Sequence, residues 1–240
     1  MKHLIISFLL IFVGCDTNNP VTNSSEIIPV ELNKSIPQNE TNIAGGDEVD
    51  PPGSYPFMVS IQYGNGSMHQ CGGVLIDPEW VLSAAHCFDY NISPSNLQVR
   101  IGLHYLYESE ELIQVDDIIL HPDFGYEFYF GTHDLALLHL QEPSTITPVE
   151  LIDDIDLESY SFGNVLGWGD TYLWESEQSI YLREVYLPLM GNDQCNDIYI
   201  DNYIDIFGLD SNDIIVGEDE ICAGYPNDDE PTTCALHGDS

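Results

Sequence analysis

The sequence predicts an all-β protein, and three observations carry that prediction: apolar runs of strand length, turn residues between them, and a second set of runs beyond an acidic link. The first set is Phe57–Tyr63, Val74–Ile76, Trp80–Ser83, Leu97–Ile101, Leu112–Leu120 and Leu135–Leu140. Gly64-Asn65-Gly66, Asp77-Pro78 and Asn91 to Ser95 mark the turns, because Gly, Pro, Asn and Asp favour the backbone angles that turns need. The acidic link is Asp153 to Glu158. Asn164–Trp168 and Arg183–Leu189 follow it, suggesting two similar halves. The 240 residues are 43% hydrophobic, enough for one large core or two modest ones.

Upstream of these runs the chain reads differently. Lys2 and His3 precede an apolar stretch, Leu4 to Val13, that is too short to span a bilayer and has the shape of a secretory signal. Phe12-Val13-Gly14-Cys15 resembles the cleavage box of bacterial lipoproteins, with Phe12 in place of the usual leucine. Cys15 is then either the lipid-bearing first residue of the mature protein or part of a discarded signal. Both readings of residues 1–15 place the protein outside the cytoplasm, secreted or lipid-anchored at a bacterial cell envelope, where disulfides persist. Residues 16–42 are rich in Asn, Thr, Ser, Pro and Glu and read as a disordered tether or pro-segment; the composition changes at Ile43-Ala44-Gly45-Gly46.

Four basic residues stand against 41 acidic ones, for a formal net charge of -37. Nucleic acid and anionic membrane surfaces are repelled by such a chain and are excluded as partners. Apart from Cys15 there are five cysteines, Cys71, Cys87, Cys195, Cys222 and Cys234, an odd number that implies a free thiol or a missing partner. No Cys-x-x-Cys or His-x-x-x-His spacing occurs, so neither a metal site nor a cofactor is expected.

Three stretches carry chemistry. Trp80-Val81-Leu82-Ser83-Ala84-Ala85-His86-Cys87 is a short apolar strand ending in two small residues, then a histidine beside a cysteine whose disulfide would fix the ring. A general base needs that control; the alternative is a core histidine next to a structural cysteine. His133-Asp134-Leu135-Ala136-Leu137-Leu138 puts one carboxylate at the start of an apolar strand, where it needs hydrogen bonds that a histidine N–H can supply. Gly238-Asp239-Ser240 offers converging backbone N–H groups and a hydroxyl that a nearby histidine can activate.

These stretches, with Tyr55-Pro56-Phe57-Met58-Val59-Ser60, Cys71-Gly72-Gly73-Val74-Leu75-Ile76, Gly167-Trp168-Gly169 and Ile221-Cys222-Ala223-Gly224-Tyr225, resemble the trypsin/chymotrypsin family of serine proteases. The resemblance runs from Ile43 to Ser240 and implies two antiparallel β-barrels, the first over about 43–150 and an incomplete second over about 160–240. It implies a His86 general base, an orienting Asp134, a Ser240 nucleophile, and an oxyanion hole from the N–H groups of Gly238 and Ser240. Ile43 resembles the activated N-terminus, whose amino group would pair with Asp239 once an activating protease removes the pro-segment. His69 stands where the family holds that aspartate before activation; the alternative is a surface imidazole in a Gly-rich loop. Cys71 and Cys87 match the ends of the first disulfide loop, and Cys195 and Cys222 are likewise expected in disulfides. His104, His121, His133, His139 and His237 receive no role.

Thr232 and Thr233 occupy the floor of the primary pocket, where trypsin-like members carry an aspartate two residues before the cysteine that matches Cys234. Preference for Arg or Lys is therefore not expected, unless Asp228, Asp229 or Glu230 reaches the pocket. The chain departs from the family in two further ways. Cys234 to Gly238 is longer than usual, and the sequence stops at Ser240, which leaves Cys234 unpaired and this chain inactive as written. A monomeric endopeptidase acting on proteins or peptides is expected, seen as a fragment. The alternative is a secreted binding protein that has lost catalysis.

Overall fold

The computed structural model describes residues 11–13, 46–64, 68–88, 92–108, 110–127, 130–151, 162–169, 179–197 and 221–224. Its strands are β1 (Ile11–Val13), β2 (Asp47–Glu48), β3 (Met58–Tyr63), β4 (Met68–Asp77), β5 (Trp80–Ser83), β6 (Leu97–Ile101) and β7 (Glu111–Leu120). They continue as β8 (Gly125–Glu127), β9 (Phe130–Thr132), β10 (Ala136–Leu140), β11 (Phe162–Gly167), β12 (Arg183–Met190) and β13 (Cys222–Gly224). Six of them close a barrel in the order β10-β5-β4-β3-β6-β7, and β8 and β9 form a separate hairpin.

Alternation builds the barrel. In β6 and β10 every second residue is buried, so Leu97, Val99 and Ile101 meet Ala136, Leu138 and Leu140 in one core with Val59, Ile61, Leu75, Val81 and Val115. A strand with one apolar face gains by turning that face inward, about 1.5–3 kcal/mol for each large aliphatic side chain. Register shifts at Ile61/Gln62, Leu75/Asp77 and His139/Leu140 add the local bending that closure requires. Gly73 lets β4 lie close on β5: a Cβ there would sit 2.9 Å from Val81 Cγ1 and 3.1 Å from the Leu82 carbonyl oxygen.

Beyond the barrel, β11 pairs antiparallel with β12, while β2 pairs with the start of β12 and β13 with its end. The described residues are thus mostly strand, one closed six-stranded barrel plus a second sheet, consistent with an all-β double-barrel architecture. Leu4 to Val13 was set apart from the fold as a signal. Three of its residues, β1, pair in parallel with β13.

A second core seals the barrel to the sheet: Val49, Met58, Leu103, Leu106, Trp168 and Leu182. Trp168 is fully buried there and its indole N–H donates to the His104 carbonyl at 3.2 Å. Across the same seam the Tyr55 hydroxyl donates to Glu184 at 2.6 Å, and the Asn164 amide donates to both. Arg183 donates to the Gly46 carbonyl at 2.8 Å, fixing the chain where the first strand of the fold begins. Two disulfides, Cys71–Cys87 and Cys195–Cys222, close loops in the two halves.

The two neighbouring glycines of β4 give a paired prediction. Gly73→Ala should destabilise by about 1–3 kcal/mol, because backbone and core atoms would have to move. Gly72→Ala, with nothing within 4 Å of the added carbon, should stay within about 0.5 kcal/mol. Urea unfolding of both variants checks this, and equal costs would refute the packing argument.

Candidate active site

Strand pairing brings two sequence-distant stretches to one point. Ala136 of β10 lies opposite Ser83 of β5, so the residues just before Ala136 and just after Ser83 emerge at the same end of adjacent strands. Those residues are Asp134 and His86. After Ser83 the chain enters a single 3-10 turn, Ala85–Phe88, tied to β4 by the Cys71–Cys87 disulfide. Before Ala136, His133 takes a φ of 52°, a left-handed conformation that costs a non-glycine residue about 1 kcal/mol or more. The His133 carbonyl accepts the Leu135 N–H at 2.8 Å, so Asp134 sits at the tip of a tight turn.

The Asp134 side chain is only 4% exposed. Its two oxygens are taken by one residue: the His86 backbone N–H donates to Oδ1 at 2.8 Å, and His86 Nδ1 donates to Oδ2 at 2.5 Å. A carboxylate only accepts, so Nδ1 bears the proton and Nε2 of the neutral ring carries the lone pair. The imidazole is 29% exposed, within reach of a substrate. Nε2 also lies 3.7 Å from Cys87 Sγ. Cys71, His86 and Cys87 bring their ligand-type atoms within 4.8 Å of one another, but both sulfurs are joined in the disulfide and offer no thiolate to a metal.

A polar chain on β3, β4 and β6 is one that the apolar-run reading missed. Ser60 and Gln62 alternate with Val59 and Ile61 along β3, so they face away from the barrel core, yet both are buried. Arg100 donates to Gln62 at 2.8 Å, Gln62 to Ser60 at 3.3 Å, and Ser60 Oγ shares a hydrogen bond with His69 Nδ1 at 2.7 Å. Two polar residues at period two within a strand were the available signal. His69 is not a surface imidazole in a loop: it lies in β4, its ring edge-on to Trp168 at 5.7 Å, because the bond to Ser60 and the Trp168 face hold it inward. Its Nε2 is buried with no hydrogen-bond partner among the described residues, and burial pulls its pKa down to about 4.

The histidines left without a role have structural neighbours: His104 bonds Glu48 at 2.8 Å, His139 bonds Asp116 at 2.6 Å, and the rings of His121 and His133 stack at 5.0 Å. Ile43, Thr232, Thr233, Cys234, His237, Gly238, Asp239 and Ser240 lie outside the described residues, as do Cys15, residues 16–42 and the acidic link.

The described residues thus show a closed barrel with a hydrogen-bonded His–Asp pair beside a disulfide, and the comparisons with known proteins give its family. The sequence model of the trypsin family matches residues 43–240, and the chain belongs to that family. It is 32% identical to serine protease 28 of Mus musculus, over 81% of this chain and 72% of that one. Tonin of Rattus norvegicus is 31% identical over 83% of this chain and 78% of its own. An ovochymase of Halocynthia roretzi is 32% identical over 78% of this chain and 11% of that protein. A serine-protease function follows at the level of the family.

His69 makes folding pH-dependent. Its folded pKa is depressed, from 6.5 to about 4, so the unfolded chain binds the proton first as pH falls. Stability should be full above pH 6.5 and decline toward pH 4, by on the order of 3 kcal/mol from this group. His69→Phe should flatten that part of the profile in urea melts; an identical slope in both proteins would show the burial penalty to be absent.

Proposed function

We propose that the protein is a serine endopeptidase in which His86 is the general base, Asp134 orients it and stabilises its cation, and Ser240 is the nucleophile. One observation carries the reading: the buried Asp134 carboxylate takes both N–H groups that His86 offers, which fixes the ring and its tautomer. In the first step the Ser240 oxygen bonds the scissile carbonyl carbon as its proton passes to His86 Nε2. The N–H groups of Gly238 and Ser240 receive the oxyanion. His86 then gives the proton to the leaving amine, the C–N bond breaks, and water removes the acyl group by the same route.

An activating protease would cut Asn42–Ile43, and the new Ile43 amino group would pair with Asp239. Before the cut Asp239 would be held by His69, a role supported by the buried His69 Nε2, which has no partner among the described residues and which a carboxylate would satisfy. Thr232 and Thr233 give the pocket no counter-ion for a cationic side chain, which makes Arg or Lys costly to bury there. The substrates are proteins or peptides, cut by a monomer. The two disulfides fit a compartment outside the cytoplasm. Anchoring there would run through a lipidated Cys15, supported by the Gly14-Cys15 junction after a short apolar run.

The protein expressed from its whole reading frame and activated at Ile43 should cleave a peptide library without Arg/Lys preference and label with a fluorophosphonate at Ser240. Ser240→Ala or His86→Ala should each lower kcat by about 10⁴ or more, with Asp134→Asn close behind. Retained cleavage in Ser240→Ala would overturn the assignment, and a clear Arg/Lys preference lost in that variant would overturn the reading of Thr232. Mass spectrometry of the mature N-terminus should find lipid on Cys15; an unmodified terminus beyond Cys15 would refute the anchor.

A further inference from the structure

Three tyrosines meet on the surface where the barrel joins the second sheet. The Tyr105 ring lies 5.2 Å from Tyr107, edge-on, and 5.3 Å from Tyr181. Tyr107 is 66% exposed, Tyr181 41%, and the adjoining Ile180 39%. The backbone beneath is fixed on both sides: Tyr105 bridges Tyr181, the Leu106 N–H donates to Ile180, and the Glu108 N–H closes a turn on Tyr105. Leu106 and Leu182, the next residues after Tyr105 and Tyr181, are buried in the core between barrel and sheet. Such a platform is assembled in advance and would cost a partner little ordering entropy. Large exposed aromatic clusters of this kind mark contact surfaces more often than they serve the fold, which here already has its core.

The charges around the rings choose the occupant. Glu108, next to Tyr107 in the chain, is exposed, as is Glu110 two residues on, and Glu48 holds His104, whose ring lies 5.8 Å from that of Tyr181. A second copy of a chain with 41 acidic and 4 basic residues would bring repulsion, as would any anionic ligand. Lysine and arginine are drawn both to tyrosine faces and to carboxylates. We propose that the Tyr105–Tyr107–Tyr181 cluster, together with the acidic side chains of Glu48, Glu108 and Glu110, is a docking surface for a Lys/Arg-rich segment of a protein partner. The site is separate from His86 and Asp134, and its test reads binding alone, so it stands or falls independently of the catalytic reading.

Fluorescence anisotropy of the full chain with a short labelled peptide of alternating Arg and Gly, at low and high salt, tests this. Tyr107→Ala combined with Tyr181→Ala leaves the net charge unchanged and should weaken binding about tenfold, while the matching Phe pair stays within about twofold. Glu108→Gln with Glu110→Gln should weaken binding and reduce its salt dependence. Circular dichroism melts of all three variants should match the parent. Undiminished binding by the alanine pair would show only diffuse attraction to the acidic surface and overturn the proposal. So would absence of peptide binding, tighter binding of a neutral oligosaccharide, or self-association through the patch.

Discussion

A carboxylate sealed from water is the constraint around which the barrel's functional end is organised. Burying Asp134 is expensive unless both oxygens find donors, and the donors come from a residue 48 positions earlier in the chain. That requires β10 to lie beside β5 in a register that sets Ala136 against Ser83. It requires the left-handed His133 before Asp134, and a disulfide that pins the turn carrying His86. Each device is costly or restrictive alone, and together they leave the imidazole one orientation. The strain at His133 is sustained because the hydrogen bonds it enables outweigh it.

The seam between barrel and sheet is the second dependency. Trp168 touches the first half with its ring on His69 and its N–H on the His104 carbonyl, so a residue of the second half covers the polar chain running from Arg100 to His69. Partial burial, and then the Glu184 carboxylate, push the Tyr55 phenol well above its ordinary pKa, so it stays a neutral donor across the seam. The barrel alone would leave Ser60, Gln62 and His69 without their cover.

Much of the fold was legible because burial imposes a period. Trp80–Ser83 and Leu97–Ile101 match their strands to the residue, and Leu112–Leu120 falls within a residue of its own. β4 was read as Val74–Ile76 only, since its first half carries His69, Gln70 and two glycines, and pairing with β3 overrides that weak local preference. The short hairpin of β8 and β9 has glycine in both strands and no alternation to reveal it. At the site, the residue types of His86 and Asp134 predicted that the carboxylate would accept from a histidine N–H, and it does. The backbone N–H of His86 as second donor and the φ of His133 are products of tertiary geometry and leave no trace in composition.

Under the activation proposed above, the hydrogen bond from Arg183 to the Gly46 carbonyl has a kinetic meaning. Gly46 stands three residues after Ile43, and an extended residue spans at most about 3.6 Å, so a chain end released at Ile43 would remain on a leash of about 10 Å. Tethering of that kind replaces a search through solution by one within a small volume, at an effective concentration in the millimolar range or above. A new amino terminus would then find its acceptor by short-range diffusion, and the anchored carbonyl, not the affinity of the terminus itself, would set how quickly a cut is converted into a changed conformation.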